Sequence, residues 1–88
     1  MYHIVYARQA LKDIRKLKAA GLDGRAKALI ALLHHDPFQT PPRYEALVDN
    51  LAGCFSRRIN QQHRLVYQVF EEERLVKVLR IWSHYERL

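Results

Sequence analysis

The chain has 88 residues, which is room for one domain with one hydrophobic core. With 49% hydrophobic and 27% charged residues it is not a disordered chain, and its longest apolar run, residues 28–33, is far too short to cross a bilayer. The one cysteine, Cys54, excludes an internal disulfide and a cysteine-rich zinc site. The formal charge of +6, carried by ten Arg and five Lys, points toward a polyanionic partner as readily as toward simple solubility.

The first residues, Met1-Tyr2-His3-Ile4, have no basic start leading into an apolar signal core, so the expected location is cytoplasmic. Residues 2–6 combine aromatic and β-branched side chains and predict a short strand. From Ala7 the period changes: Ala7, Ala10, Leu11, Ile14 and Leu17 share one helical face, with Arg8, Lys12, Arg15 and Lys16 elsewhere. Gly21 stops that helix, and Asp23 is placed to cap the next. Ala26, Leu29, Ile30 and Leu33 form its apolar stripe, which ends at Asp36-Pro37. So short a link makes the two helices an antiparallel hairpin. Residues 37–42, with three prolines, read as an extended connector.

After Pro42 the pattern turns strand-like. Residues 55–59, 64–70 and 75–82 are rich in β formers, separated by residues 60–63 and by Glu71-Glu72-Glu73 as turns. Short connections make such strands antiparallel. The expected architecture is α+β: an N-terminal strand, then a two-helix hairpin packed on one face of an antiparallel sheet of four to five strands, the other face left free for function. One domain spans residues 1–88.

Alternation along these strands sends Leu65, Tyr67 and Val69 inward, and Arg64, Val66 and Gln68 to the open face. Phe55 and Ile59 point inward, so Arg58 and Ser56 point outward. Arg58 and Arg64 are then expected to meet on the open face, with the Arg64 side chain exposed. Arg57 shares the face of Phe55 and must lie at a strand end or snorkel. The last strand is apolar on both faces, hence interior, and delivers His84 and Tyr85 to the end of the sheet.

By residue type alone, Glu45 reads first as an ordinary loop carboxylate; beside arginines it could also be a base, since positive charge favours its ionised form. His84 and Tyr85 read first as a chain end, although histidine can exchange a proton near neutrality and tyrosine can stack on a base. His34 and His35 diverge by about 100° on a helix and have no third ligand in reach, so a metal site is rejected. His63 is expected in a turn and His3 on the first strand. Cys54 has no base beside it, and the three glycines form no phosphate loop.

Several separated segments in register carry a resemblance. Asn50-Leu51-Ala52-Gly53-Cys54-Phe55-Ser56-Arg57-Arg58-Ile59, then His63-Arg64-Leu65-Val66-Tyr67, then Ser83-His84-Tyr85 resemble the YoeB/Txe branch of the RelE/ParE toxin superfamily; Pro37-Phe38 and Glu45-Ala46-Leu47 fit as well. The resemblance implies a microbial-ribonuclease-like α+β fold and the toxin half of a type II toxin–antitoxin module. It implies a ribosome-dependent endoribonuclease that cuts mRNA in the A site by attack of the ribose 2′-hydroxyl on phosphate, with no metal and no cofactor. In this scheme Glu45 is the base, His84 the acid, Arg64 stabilises charge on the phosphate, and Tyr85 orients the nucleotide or stacks on it. Arg57, Arg58 and Arg43 are the implied RNA and phosphate contacts. The implied partners are the ribosome, mRNA and a YefM/Axe-type antitoxin with an acidic segment; operator DNA is reached only through the antitoxin complex, no membrane is involved, and a homodimer is compatible. The chain departs from the family pattern at Val48, where a Lys is frequent, at Cys54, and in its tail Glu86-Arg87-Leu88. The competing expectations are a non-cleaving, ParE-like gyrase poison and a degenerate RNA- or ribosome-binding domain.

Overall fold

The computed structural model describes residues 1–84. In chain order it contains β1 (His3–Tyr6), α1 (Arg8–Ala19), α2 (Asp23–His35), β2 (Tyr44–Ala46), β3 (Cys54–Arg58), β4 (His63–Phe70) and β5 (Leu75–His84), with a 3₁₀ turn at Asp49–Leu51 before β3. The strands form one sheet in the order β1-β5-β4-β3-β2. No described helix is long and apolar enough to cross a membrane.

The helical hairpin follows from its apolar stripes. Ala10 and Leu17 of α1 and Ala26, Leu29 and Leu33 of α2 are buried, and they join Leu65, Tyr67, Val76, Val78 and Ile81 of the sheet in one core. Each large aliphatic side chain so buried stabilises the fold by roughly 1.5–3 kcal/mol before conformational entropy is counted. The end of α1 is fixed by Gly21, whose φ of +72° is easy only for glycine. The Leu22 N–H reaches the Leu17 carbonyl at 2.9 Å and the Gly21 N–H reaches that of Lys18 at 3.1 Å, which satisfies two carbonyls the helix would otherwise leave open. Asp23 is the first residue of α2 rather than its cap; Leu22 holds that position, and the Asp23 carboxylate lies in the first turn, where the helix dipole favours it.

The sheet is mixed, where an antiparallel one is expected. β2, β3, β4 and β5 pair antiparallel in sequence order, but β1 runs parallel to β5. Short links dictate direction only between consecutive strands; β1 meets its neighbour after the whole hairpin and three strands have intervened, so no tight turn constrains it. β5 is interior, between β1 and β4, as its two apolar faces require.

β4 and β5 do not pair evenly. Register shifts fall between Arg64 and Val66 and again between Val66 and Tyr67. Asp13 of α1 holds this irregular stretch: its Oδ2 accepts the Arg80 Nε–H at 2.8 Å and the backbone N–H groups of Ile81 at 3.0 Å and Trp82 at 3.2 Å. Asp13 is wholly buried, on the apolar stripe between Ala10 and Leu17. The helix thus grips the strand just before its end at His84.

Candidate active site

The site is built on the face of β2, β3 and β4 opposite the helices. Register places Glu45, Ser56 and Val66 in one cross-strand row and Arg58 directly opposite Arg64 in another. Residues opposite one another in a ladder share a face, so the row of residues and the pair of arginines point the same way. The expected meeting of Arg58 and Arg64 on one hairpin therefore holds.

Arg64 departs from expectation in its exposure. Its side chain is only 2% exposed. It lies along the sheet: one terminal nitrogen donates to Ser56 Oγ at 2.7 Å on β3, and the other donates to Glu45 Oε1 at 3.3 Å on β2. A long side chain laid across two neighbouring strands is covered by them, whereas one standing upright would be solvated. Ser56, at 1% exposure, is the anchor that sequence reading missed. Its signal was present, since it shares the alternation of Arg58, and a small hydroxyl there is what an arginine crossing the ladder needs.

Glu45 lies on an edge strand and not in a loop, because Tyr44–Ala46 pairs with β3. Its carboxyl is about two-fifths exposed. The hydrogen bond from Arg64 holds its pKa below the usual glutamate value against the opposing effect of partial burial, and the charges of Arg64, Arg43 and Arg58 add to the lowering. Pro42, Arg43, Glu45, Ser56, Arg58 and Arg64 together line a cleft of about 300 Å³. Arg43 and Arg58 are exposed at its rim. Three guanidinium groups around one ionised carboxylate make a site that can accept a phosphate and, through the carboxylate, a proton.

Arg57 departs from its expected placement: it was expected at a strand end or snorkelling, but it is 1% exposed on the opposite side of β3. Its Nε donates to the Tyr67 hydroxyl, and its terminal nitrogens donate to the carbonyls of Pro42, Pro37 and Gln39. A guanidinium so committed does not face the cleft. On that side Tyr44 and Phe55 pack with Phe38 and Tyr67 in an aromatic cluster with ring centroids 5.3–5.9 Å apart.

His63 opens β4 rather than sitting in the turn, and its ring stacks on Trp82 at 3.7 Å. The preceding turn is held by Asn60, whose Oδ1 accepts the N–H groups of Gln62 and His63. Across the ladder His63 pairs with His84, and Arg64 with Ser83. The backbone of His84 is therefore one ladder position beyond that of Arg64. Tyr85 lies outside the described residues. His34 binds the Tyr2 carbonyl through Nδ1. Val48, 72% exposed, leaves the position of the frequent family Lys on the surface. The Cys54 thiol is buried, which raises its pKa and disfavours a thiolate.

A family model described as the YoeB-like toxin of bacterial type II toxin–antitoxin systems matches residues 6–85. A toxin named YoeB from Synechocystis is 41% identical over 63 residues, covering 72% of this chain and 71% of the relative. Among solved structures, a YoeB/ParE toxin from Agrobacterium tumefaciens superposes with a TM-score of 0.84 at 27% identity, covering 94% of this chain and 99% of that one. A chain of a heterotetrameric YoeB-YefM toxin–antitoxin complex from Staphylococcus aureus superposes with a TM-score of 0.79 at 27% identity, covering 97% of this chain and 99% of that one.

Proposed function

The chain belongs to the YoeB-like toxins of bacterial type II toxin–antitoxin systems, and from that premise we propose that it is a ribosome-dependent endoribonuclease that cuts mRNA in the A site and stops translation. The observation that carries the proposal is the Arg64–Glu45 pair, with Arg64 immobilised by Ser56, in a cleft rimmed by Arg43 and Arg58.

The chemistry asks for three things: a base for the ribose 2′-hydroxyl, donors for the charge that builds on phosphate, and an acid for the leaving 5′-oxygen. Glu45, held ionised by Arg64, takes the 2′ proton. The 2′-oxygen bonds to phosphorus, the bond to the 5′-oxygen breaks, and a 2′,3′-cyclic phosphate and a 5′-hydroxyl result. Arg64 is already buried and anchored, so it need not reorganise as phosphate charge develops; Arg58, opposite it on β3, adds a second cation. His84 is assigned as the acid and Tyr85 as the residue that orients the nucleotide, both on the family resemblance, with the His84 backbone one ladder position from that of Arg64. A partner antitoxin of the YefM type, with an acidic segment, suits a chain of charge +6.

The test is cleavage of mRNA on programmed ribosomes by the purified toxin, compared with Glu45→Gln and His84→Ala. Cleavage in the A-site codon that requires the ribosome is expected, and each substitution should slow it by about 10²–10⁴ while ribosome binding persists. Full activity in either variant would overturn that residue's role. Arrest of DNA replication with protein synthesis intact would overturn the reading in favour of a gyrase poison.

A further inference from the structure

The connector formed by residues 37–42 has a chemical problem. Pro37, Pro41 and Pro42 have no N–H, so the segment is poor in donors while every carbonyl still needs one. It also has to end at the cleft, since Pro42 and Arg43 line it and Glu45 follows on β2. What fixes so donor-poor a segment decides where the carboxylate stands.

Arg57 supplies the missing donors. One terminal nitrogen reaches the Pro37 carbonyl at 2.9 Å and the Gln39 carbonyl at 2.8 Å, the other donates to the Pro42 carbonyl, and Nε donates to the Tyr67 hydroxyl at 3.2 Å. Tyr67 completes the ring of contacts by donating to the Pro37 carbonyl at 2.8 Å. The guanidinium carbon lies 5.1 Å from the centroid of the Tyr44 ring, and Tyr44 is the ladder partner of Arg57 and the neighbour of Glu45. Only a planar fork with five donors can serve three carbonyls at different points of one segment; an ammonium cannot spread its donors so far.

We propose that Arg57 is a positioning residue for the cleft and not a ligand for RNA: by tying residues 37–42 to β3 and β4, it sets Arg43 and Glu45 against Arg64. Its catalytic consequence rests on the reading of Glu45 as the base; its geometric consequence does not.

The two are separated by reading Glu45 directly. Arg57→Lys keeps the charge and loses the fork. In the folded variant, carboxyl NMR should show the Glu45 titration moving up toward the ordinary glutamate value as the Arg64 contact loosens. On programmed ribosomes kcat should fall at least about tenfold with KM within about twofold, and in a Glu45→Gln background the same change should cost little more. Unchanged Glu45 titration and kcat would overturn the proposal. So would an equal loss in both backgrounds, which marks a merely structural role, or a raised KM with kcat kept, which marks a direct RNA ligand. Should Arg57→Lys fail to fold, Tyr67→Phe keeps the buried ring and removes the hydroxyl that joins Arg57 to Pro37, and the same readings apply. If the wild type cuts no RNA, the nuclease reading falls, while the Glu45 titration still decides what Arg57 does.

Discussion

Ser56 Oγ accepts a hydrogen bond from Arg64 at 2.7 Å across the β3–β4 ladder, and this contact fixes the direction of the guanidinium. Arg64 is the one cation of the cleft that is buried, so its placement has to be set by the protein and not by the substrate. Preorganised donors stabilise developing charge better than mobile ones, because they need no rearrangement when the charge appears.

Ser56→Ala therefore separates anchoring from presence. The loss of one charge-assisted bond should lower stability by about 1–2 kcal/mol in urea unfolding. The freed Arg64 should lower kcat about tenfold with little change in KM. Arg64→Ala should do more than stop catalysis. Because the side chain is buried, its removal leaves space beneath Glu45 and strips the Ser56 hydroxyl of its donor, so a clear fall in Tm is expected as well. A wild-type Tm for Arg64→Ala would show that the arginine contributes nothing to the fold.

Glu45 carries a pH prediction. Its pKa is lowered, foremost by the Arg64 hydrogen bond, and a carboxylate in the proposed role of base works only when ionised. The active form is then fully present above the ordinary glutamate range and is lost only as pH falls through the depressed value. The acid limb of single-turnover cleavage should accordingly lie below the ordinary glutamate value. Replacing Arg58 or Arg43 with Gln removes a positive charge that contributes to the lowering, and should move that limb upward. A wild-type limb above the ordinary range would mean that Glu45 is not the group being read.

Arg58 and Arg57 are adjacent in sequence and should behave in opposite ways. Arg58 is exposed at the cleft rim, whereas Arg57 is sealed among backbone carbonyls. Arg58→Ala should leave stability in urea unfolding within about 0.5 kcal/mol of the wild type. It should weaken RNA binding and reduce the slope of log affinity against log salt by about 1. An unchanged salt slope would remove Arg58 from the phosphate contacts.

Much of this site was legible in the chain, for identifiable reasons. The hairpin helices follow from two apolar stripes and Gly21, which local chemistry dictates. Period-two alternation was enough to bring Arg58 and Arg64 to one face, because side chains in a ladder alternate without exception unless a bulge intervenes. What alternation does not state is whether a long side chain stands up or lies down. Arg64 lies down because Ser56 and Glu45 accept it, and that depends on partners on two other strands. The burial of Arg57 was not legible for a related reason: its acceptors are carbonyls of a segment 15 to 20 residues earlier, which residue type does not reveal. The parallel pairing of β1 with β5 was beyond local reading altogether, since the partners are about 70 residues apart.

Asp13 is the case where a visible anomaly had a consequence. It interrupts the apolar stripe of α1 at the spacing of Ala10, Ile14 and Leu17, and a carboxylate there must find donors or neutralise. Burial, the largest influence, pushes its pKa up, but hydrogen bonds from Arg80, the Ile81 amide, Gln9 and the Trp82 amide outweigh it, and the net direction is down. A folded pKa below the unfolded value means that the unfolded chain binds more protons on the acid side, so this stabilisation is complete above the ordinary aspartate value and is lost as pH falls through the depressed one. Asp13→Ala leaves two backbone N–H groups near the end of β5 without their acceptor and should cost about 2–4 kcal/mol at neutral pH. Arg80→Ala should cost about 1 kcal/mol or less, because the arginine is two-fifths exposed and the amides keep their carboxylate. In urea unfolding the gap between wild type and Asp13→Ala should narrow as the pH is lowered below the aspartate range. A gap that stayed constant would show that the ionised carboxylate is not what holds α1 to β5, and that the strand leading to His84 is shaped by packing alone.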